Sequence, residues 1–177
     1  IKTVAHSSVI IPISPLTLMK PGAPEDLDVL VFKLTDQIAL HEEEEIKAVE
    51  AYLSAHPSLI QVDPIPVQRT LSHRDIMCSK LAEVGSKLQA AGIGRSAKHS
   101  LIPPPLSSTS SEFAATVTEK VGGLKFPVLC KPLIACGSST AHLMWICFDI
   151  QGVLNYAKSE AAKEGFVCQE YVDHNEE

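Results

Sequence analysis

Short apolar runs, punctuated by proline and glycine, alternate with segments of helical period. Residues 27–32, LDVLVF, are apolar, partly β-branched and too short for a helix, which predicts a buried strand. They run into KLTD, residues 33–36, and then a helix. In EEEEIKAVEAYLSAHP the acids occupy the first turn, where the helix dipole favours them. Ile46, Val49 and Leu53 form a stripe at helical spacing, and Pro57 ends it. Glu42 to Glu45 read as a solvated helix start. LIQVD, residues 59–63, predicts a second short strand, followed by PIPVQR as a stiff connector. Ser72-His73-Arg74-Asp75 then opens another helix, with Ile76, Leu81, Val84 and Leu88 on its inner face and Gly92 and Gly94 at its end.

The second half continues the alternation. SLIPPPL, residues 100–106, reads as a strand stopped by three prolines, the Ser/Thr run 107–111 as a loop, and EFAATVTEKV as a helix closed by Gly122-Gly123. FPVLCK (126–131) and LMWICF (143–148) predict strands around the turn-rich PLIACGSST. A helix over QGVLNYAKSEAAKEG and a strand FVCQEYV, residues 166–172, complete the chain. Residues 1–24 are rich in Pro and Ser, and Pro12 and Pro15 confine any strand there to an edge. The order predicts α/β or α+β layers, neither a helical bundle nor a β-sandwich.

Composition narrows the function classes. The 177 residues are 45% hydrophobic and 20% charged, values of a folded globular chain. No apolar run approaches the ~18 residues of a membrane span. A net charge of −6 argues against a broad nucleic-acid groove and leaves room for a local anion pocket. The five cysteines, Cys78, Cys130, Cys136, Cys147 and Cys168, form no C-x-x-C pair and sit partly in apolar runs, so buried reduced thiols are expected. With no signal peptide recognisable at the start, a cytoplasmic protein is expected. Because the first residue is Ile and not Met, a fragment of a longer chain is expected.

Common chemical motifs are absent: no P-loop, no G-x-G-x-x-G, no H-E-x-x-H and no G-x-S-x-G. One cluster carries chemistry. Lys131 closes a strand and is followed by a loop holding Gly137, Ser138 and Ser139, with His142 beyond. A lysine there reaches a phosphate as a point charge, and the loop offers N–H and hydroxyl donors. On spacing alone, a lysine whose stem lies along apolar surface before an ordinary turn fits as well. Gln169-Glu170-Tyr171-Val172 ends the last strand, where main-chain groups can bond the rim of a purine; alone it is equally an ordinary strand.

Taken together, GLKFPVLCKPLIACGSSTAHLM, FVCQEYVDHN, DVLVFKLTD and AYLSAHPSLIQVDPIPVQRTLSHRDIMCSKL resemble the inositol-tetrakisphosphate 1-kinase, or inositol 1,3,4-trisphosphate 5/6-kinase, family. Residues 27–95 and 120–177 carry the resemblance; residues 1–24 depart from it. It implies an ATP-grasp enzyme that uses ATP and Mg2+ to phosphorylate an inositol tris- or tetrakisphosphate hydroxyl. It implies an N-terminal α/β domain over 1–72 and an incomplete ATP-grasp region over 73–177. The second lobe is then missing, the magnesium ligands lie beyond Glu177, and the closing strand has an exposed edge. By the same resemblance Arg74, Lys131, Gln169, Glu170, Tyr171 and Val172 bind ATP, while Lys33 and His142 meet the inositol phosphate. No catalytic residue is identified within the chain. The loop after Lys131 is one residue longer before His142 than the family's, and Cys136 stands where some members carry histidine. The expected full-length protein is a monomer that binds neither nucleic acid nor membrane. The rival readings are a non-catalytic inositol-phosphate-binding module and another ATP-grasp ligase.

Overall fold

The computed structural model describes residues 11–25, 27–94, 97–105 and 110–172. The expected loop at 107–111 lies largely outside them, as do residues 1–10. Within the described residues the chain folds into two sheets, each with its own helices and apolar core.

The first half opens with a 3₁₀ turn, Pro15–Met19, and strand β1, Val29–Val31. Helices α1 (Thr35–Leu40) and α2 (Glu43–Ala55) follow, and strand β2 (Ile60–Val62) returns parallel to β1 in the register Val29↔Ile60. A helical crossover is what a parallel pair requires. Ile46 and Val49 of the predicted stripe are buried, and Leu53 packs beside them against Leu30, Leu34 and Ile38. The expected connector PIPVQR is instead helix α3, Ile65–Leu71. Its proline sits in the first turn, where a missing N–H costs no helical hydrogen bond, so Pro66 did not break the helix.

Helix α4, Arg74–Ala90, links the halves. Its rotation differs from expectation. Ile76, Leu81, Val84 and Leu88 are 40–51% exposed, while Arg74, Cys78 and Gly85 are buried. The helix start is anchored by polar bonds rather than by its apolar stripe: the Arg74 N–H donates to Leu133 O at 3.0 Å, and His73 bridges Ile134. These bonds turn the stripe outward.

The second sheet is antiparallel, in the order β3-β6-β4-β5, with β3 His99–Ile102, β4 Val128–Pro132, β5 Trp145–Cys147 and β6 Phe166–Glu170. Helix α5, Ser110–Val121, and helix α6, Ile150–Tyr156, cover one face. Asp149 caps α6 by accepting from the Gly152 N–H at 2.8 Å. The long helix expected after Gln151 stops at Tyr156, and a 3₁₀ turn, Glu160–Ala162, completes the segment; the break lets Tyr156, Ala157, Ala161 and Ala162 all enter the core. The closing strand does not present the exposed edge expected of it. β6 pairs with β4 on one side and β3 on the other, because β3 returns antiparallel to fill that position. No helix of the described residues is long and apolar enough to cross a membrane.

Candidate functional site

The strand period divides the antiparallel sheet into two chemically different faces. Val128, Cys130, Phe166 and Cys168 point to the helices and are fully buried. The alternate positions, Leu129, Lys131, Gln169, Leu101 and Ile146, belong to the other face, where Leu101 and Ile146 are 42% and 46% exposed. An apolar surface with two polar groups in its middle results. Lys131 Nζ donates to Gln169 Oε1 at 2.7 Å. Burial lowers the Lys131 pKa, and the nearby Arg74 charge lowers it further, although Cys78 opposes the shift. A cation held at that energetic disadvantage is a group ready to receive an anion.

Segments far apart in sequence meet at the loop that leaves Lys131. The Arg74 guanidinium, 6% exposed, spans it: Nη1 donates to Pro132 O (2.8 Å) and Ile134 O (2.9 Å), and Nη2 to Ala141 O (2.9 Å). Both ends of the loop are thus tied to one planar donor fork. The Ala135 N–H donates to Ser72 O at 2.9 Å. Further round, Cys136 Sγ donates to Thr35 O at 3.1 Å and the Gly137 N–H to Asp36 Oδ1 at 3.1 Å, so the KLTD segment docks on the loop across 101 positions of sequence. Gly137 has φ of 77°, and an added Cβ would lie 2.4 Å from Ala39 Cβ.

Gln68 is a site-building residue that the sequence reading missed. It is 4% exposed on α3. Its Nε2 donates to Phe32 O (3.1 Å) and Asp63 O (2.6 Å), and its Oε1 accepts from the Leu34 N–H at 2.6 Å. The backbone on each side of Lys33 is therefore held by one amide. Reading 64–69 as a connector hid it, since the partners come from elements distant in sequence.

Comparison with known proteins fits this geometry. Residues 96–176 match the inositol 1,3,4-trisphosphate 5/6-kinase ATP-grasp domain. The inositol-tetrakisphosphate 1-kinase of Xenopus laevis is 29% identical over 170 residues, covering 90% of this chain and 39% of that protein. Its Danio rerio counterpart is 28% identical over 156 residues, covering 84% and 36%. Inositol-tetrakisphosphate 1-kinase 1 of Arabidopsis thaliana is 41% identical over 54 residues, 30% of this chain and 15% of that protein. Most of the chain is thus similar to inositol-tetrakisphosphate 1-kinases, and residues 96–176 match the ATP-grasp domain of that family. The chain spans 39% of the length of its Xenopus laevis relative, and its fold is α/β with a partial ATP-grasp unit.

Against the family's pattern, the segments carrying Lys33, Arg74, Lys131 and His142 are brought together. Lys33 and His142 are exposed, one just after β1 and the other just after the carbonyl that Arg74 holds. Arg74 places three donors on loop carbonyls rather than leaving its whole fork open. Within the strand-end segment the residues diverge. Gln169 faces Lys131, whereas Glu170 Oε1 and Oε2 accept from the Lys125 N–H (2.9 Å) and the Lys98 N–H (3.3 Å). The Tyr171 N–H donates to Pro127 O at 3.0 Å, and the side chains of Tyr171 and Val172 are exposed.

Behind Lys131 the strands place Cys130 Sγ 3.5 Å from Cys168 Sγ and 3.6 Å from Cys147 Sγ. Among the five cysteines, which are all free thiols, only Cys136 is not buried. Burial pushes Cys147 up to about 12, and Cys130 is raised chiefly by its bond with Cys168. These thiols pack as small apolar groups. Among the described residues no three His, Cys, Asp or Glu side chains are grouped to hold a metal ion.

Proposed function

We propose that these residues form part of an inositol polyphosphate kinase, which transfers the γ-phosphoryl group of ATP to a hydroxyl of an inositol tris- or tetrakisphosphate. The observation that carries this reading is Lys131, half-buried on the open sheet face and bonded to Gln169, beside a loop tied down by Arg74. In this reading the adenine lies over the apolar positions of that face near Gln169 to Val172. Lys131 exchanges its Gln169 partner for a nucleotide phosphate. Arg74 positions the loop. Lys33 and His142 add charge or donors toward the inositol phosphate. Phosphoryl transfer asks a protein chiefly for such positioning and charge. Magnesium, when bound, would offset charge on the nucleotide phosphates, and none of the described residues is assigned as its ligand. A boundary between residues 72 and 73 separates the proposed N-terminal and grasp domains. ATP and Mg2+ as cofactors, a monomeric whole protein and a cytoplasmic location belong to the same proposal.

Calorimetric titration of residues 1–177 tests it. ATP should bind, and Lys131→Ala should weaken it by roughly tenfold or more, the scale of one lost charge-assisted bond. Lys33→Gln and His142→Gln should weaken inositol hexakisphosphate and leave ATP alone. These residues by themselves should give no measurable turnover with ATP, Mg2+ and inositol tetrakisphosphate. Unchanged ATP affinity in Lys131→Ala defeats the assignment. Saturable inositol hexakisphosphate binding with no ATP binding favours the non-catalytic module.

A further inference from the structure

On the helical side of the four-stranded sheet, opposite the face that carries Lys131, α5 and the α6 segment diverge around a cleft of about 530 Å3. That volume lies in the range of small-molecule sites. Its floor is apolar. Phe113 and Leu154 line it while packing partly buried against the core, and Ala114 and Ala157 keep it open because each contributes only a methyl group. Its rim is cationic. Lys158 and Lys163 both line it, and Glu160 is paired with Lys163, so the rim retains one net positive charge. Ser159 lies between them, and its Oγ is shielded from water with no hydrogen-bond partner among the described residues. Such hydroxyls are uncommon, and a rotation about χ1 would offer this one to a ligand oxygen. No residue of the Lys131 site takes part.

We propose that this cleft binds a small amphipathic carboxylate. The apolar tail lies against Phe113 and Leu154, and the carboxylate meets Lys158, with the Ser159 hydroxyl as a donor. Charge sets the selectivity: an alcohol of equal length keeps the tail contact and loses the ionic one, and a quaternary ammonium is repelled by the rim.

Displacement of a dansylated undecanoate from the 177-residue chain, followed by fluorescence, tests this, with decanoate, decanol and decyltrimethylammonium as competitors of matched tail. Decanoate should displace the probe, and the other two should need roughly two- to fivefold higher concentration, a scale set by exposed ionic contacts. Lys158→Glu with Lys163→Glu should remove that preference, and Ala114→Trp should block the cleft. Leu81→Glu, on the exposed stripe of α4, should change nothing. The lysines are exposed, so their reversal remains decisive even where the tryptophan variant unfolds. Equal displacement by decanol and decanoate, or a preference that survives charge reversal, overturns the proposal. Decanoate displacement without co-sedimentation on phosphatidylglycerol vesicles supports a free carboxylate. Lysine-dependent co-sedimentation without decanoate displacement, or failure of both, overturns the proposal.

Discussion

At Arg74 a cation does structural work at the edge of the proposed phosphate site. Its fork satisfies three carbonyls that would otherwise be left inside the loop. Lysine cannot reproduce a planar fork, so Arg74→Lys should destabilise the fold by about 2–4 kcal/mol, measured by urea unfolding. Gly137 carries a second constraint, a left-handed φ and a close approach to Ala39. Gly137→Ala should cost about 1–3 kcal/mol. Adding Ala39→Gly should recover only part of it, since the backbone strain remains. Lys131 runs the other way. Burial sets its folded-state pKa below that of the unfolded chain. Between the two values the unfolded chain holds more protons, so stability rises with pH through that window and the charged lysine is a cost below it. Lys131→Met should therefore raise Tm at pH 7 by about 2–4 °C while weakening ATP, and should flatten the alkaline pH dependence. An unchanged or lowered Tm contradicts the burial argument.

Helix α4 shows where periodicity misleads at the scale of an element. Leu81, Val84 and Leu88 have the spacing of a core stripe, yet the bonds of residues 72–74 to the loop at 133–135 decide which side faces inward. Leu81→Glu and Val84→Glu should each change stability by less than about 0.5 kcal/mol, as exposed positions do. A loss of several kcal/mol in either would mean that the stripe is covered in solution. α3 teaches a related lesson. Proline reads as a breaker within PIPVQR, but in the first turn it has no bond to lose, and the helix it permits delivers Gln68 to Lys33. Strands β4 and β6 were legible because apolar runs of their length have few other homes, whereas β1, expected to be a buried strand, forms but leaves Val29 and Val31 exposed.

Across the whole molecule the two sheets should differ in local stability. β6 is hydrogen-bonded on both sides over a fully buried core, whereas β1 and β2 form a two-stranded sheet on which Val29, Val31, Ile60 and Val62 remain exposed. Native-state hydrogen exchange should find the slowest amides in β4 and β6 and faster exchange in β1 and β2. The reverse order would place the stable core in the first half. The chain's local chemistry was readable in its order of residues: the apolar runs, the helix starts, the strand-end lysine, and the long segments that carry the family resemblance. These depend on neighbours within a few positions, or on residue identity itself. Strand β6 becoming interior, the outward rotation of α4, the three carbonyls on Arg74 and the docking of Asp36 onto Gly137 join positions tens to a hundred residues apart. Only the packed chain decides such contacts, because hydrogen-bond satisfaction and steric fit are tested when distant elements share a surface.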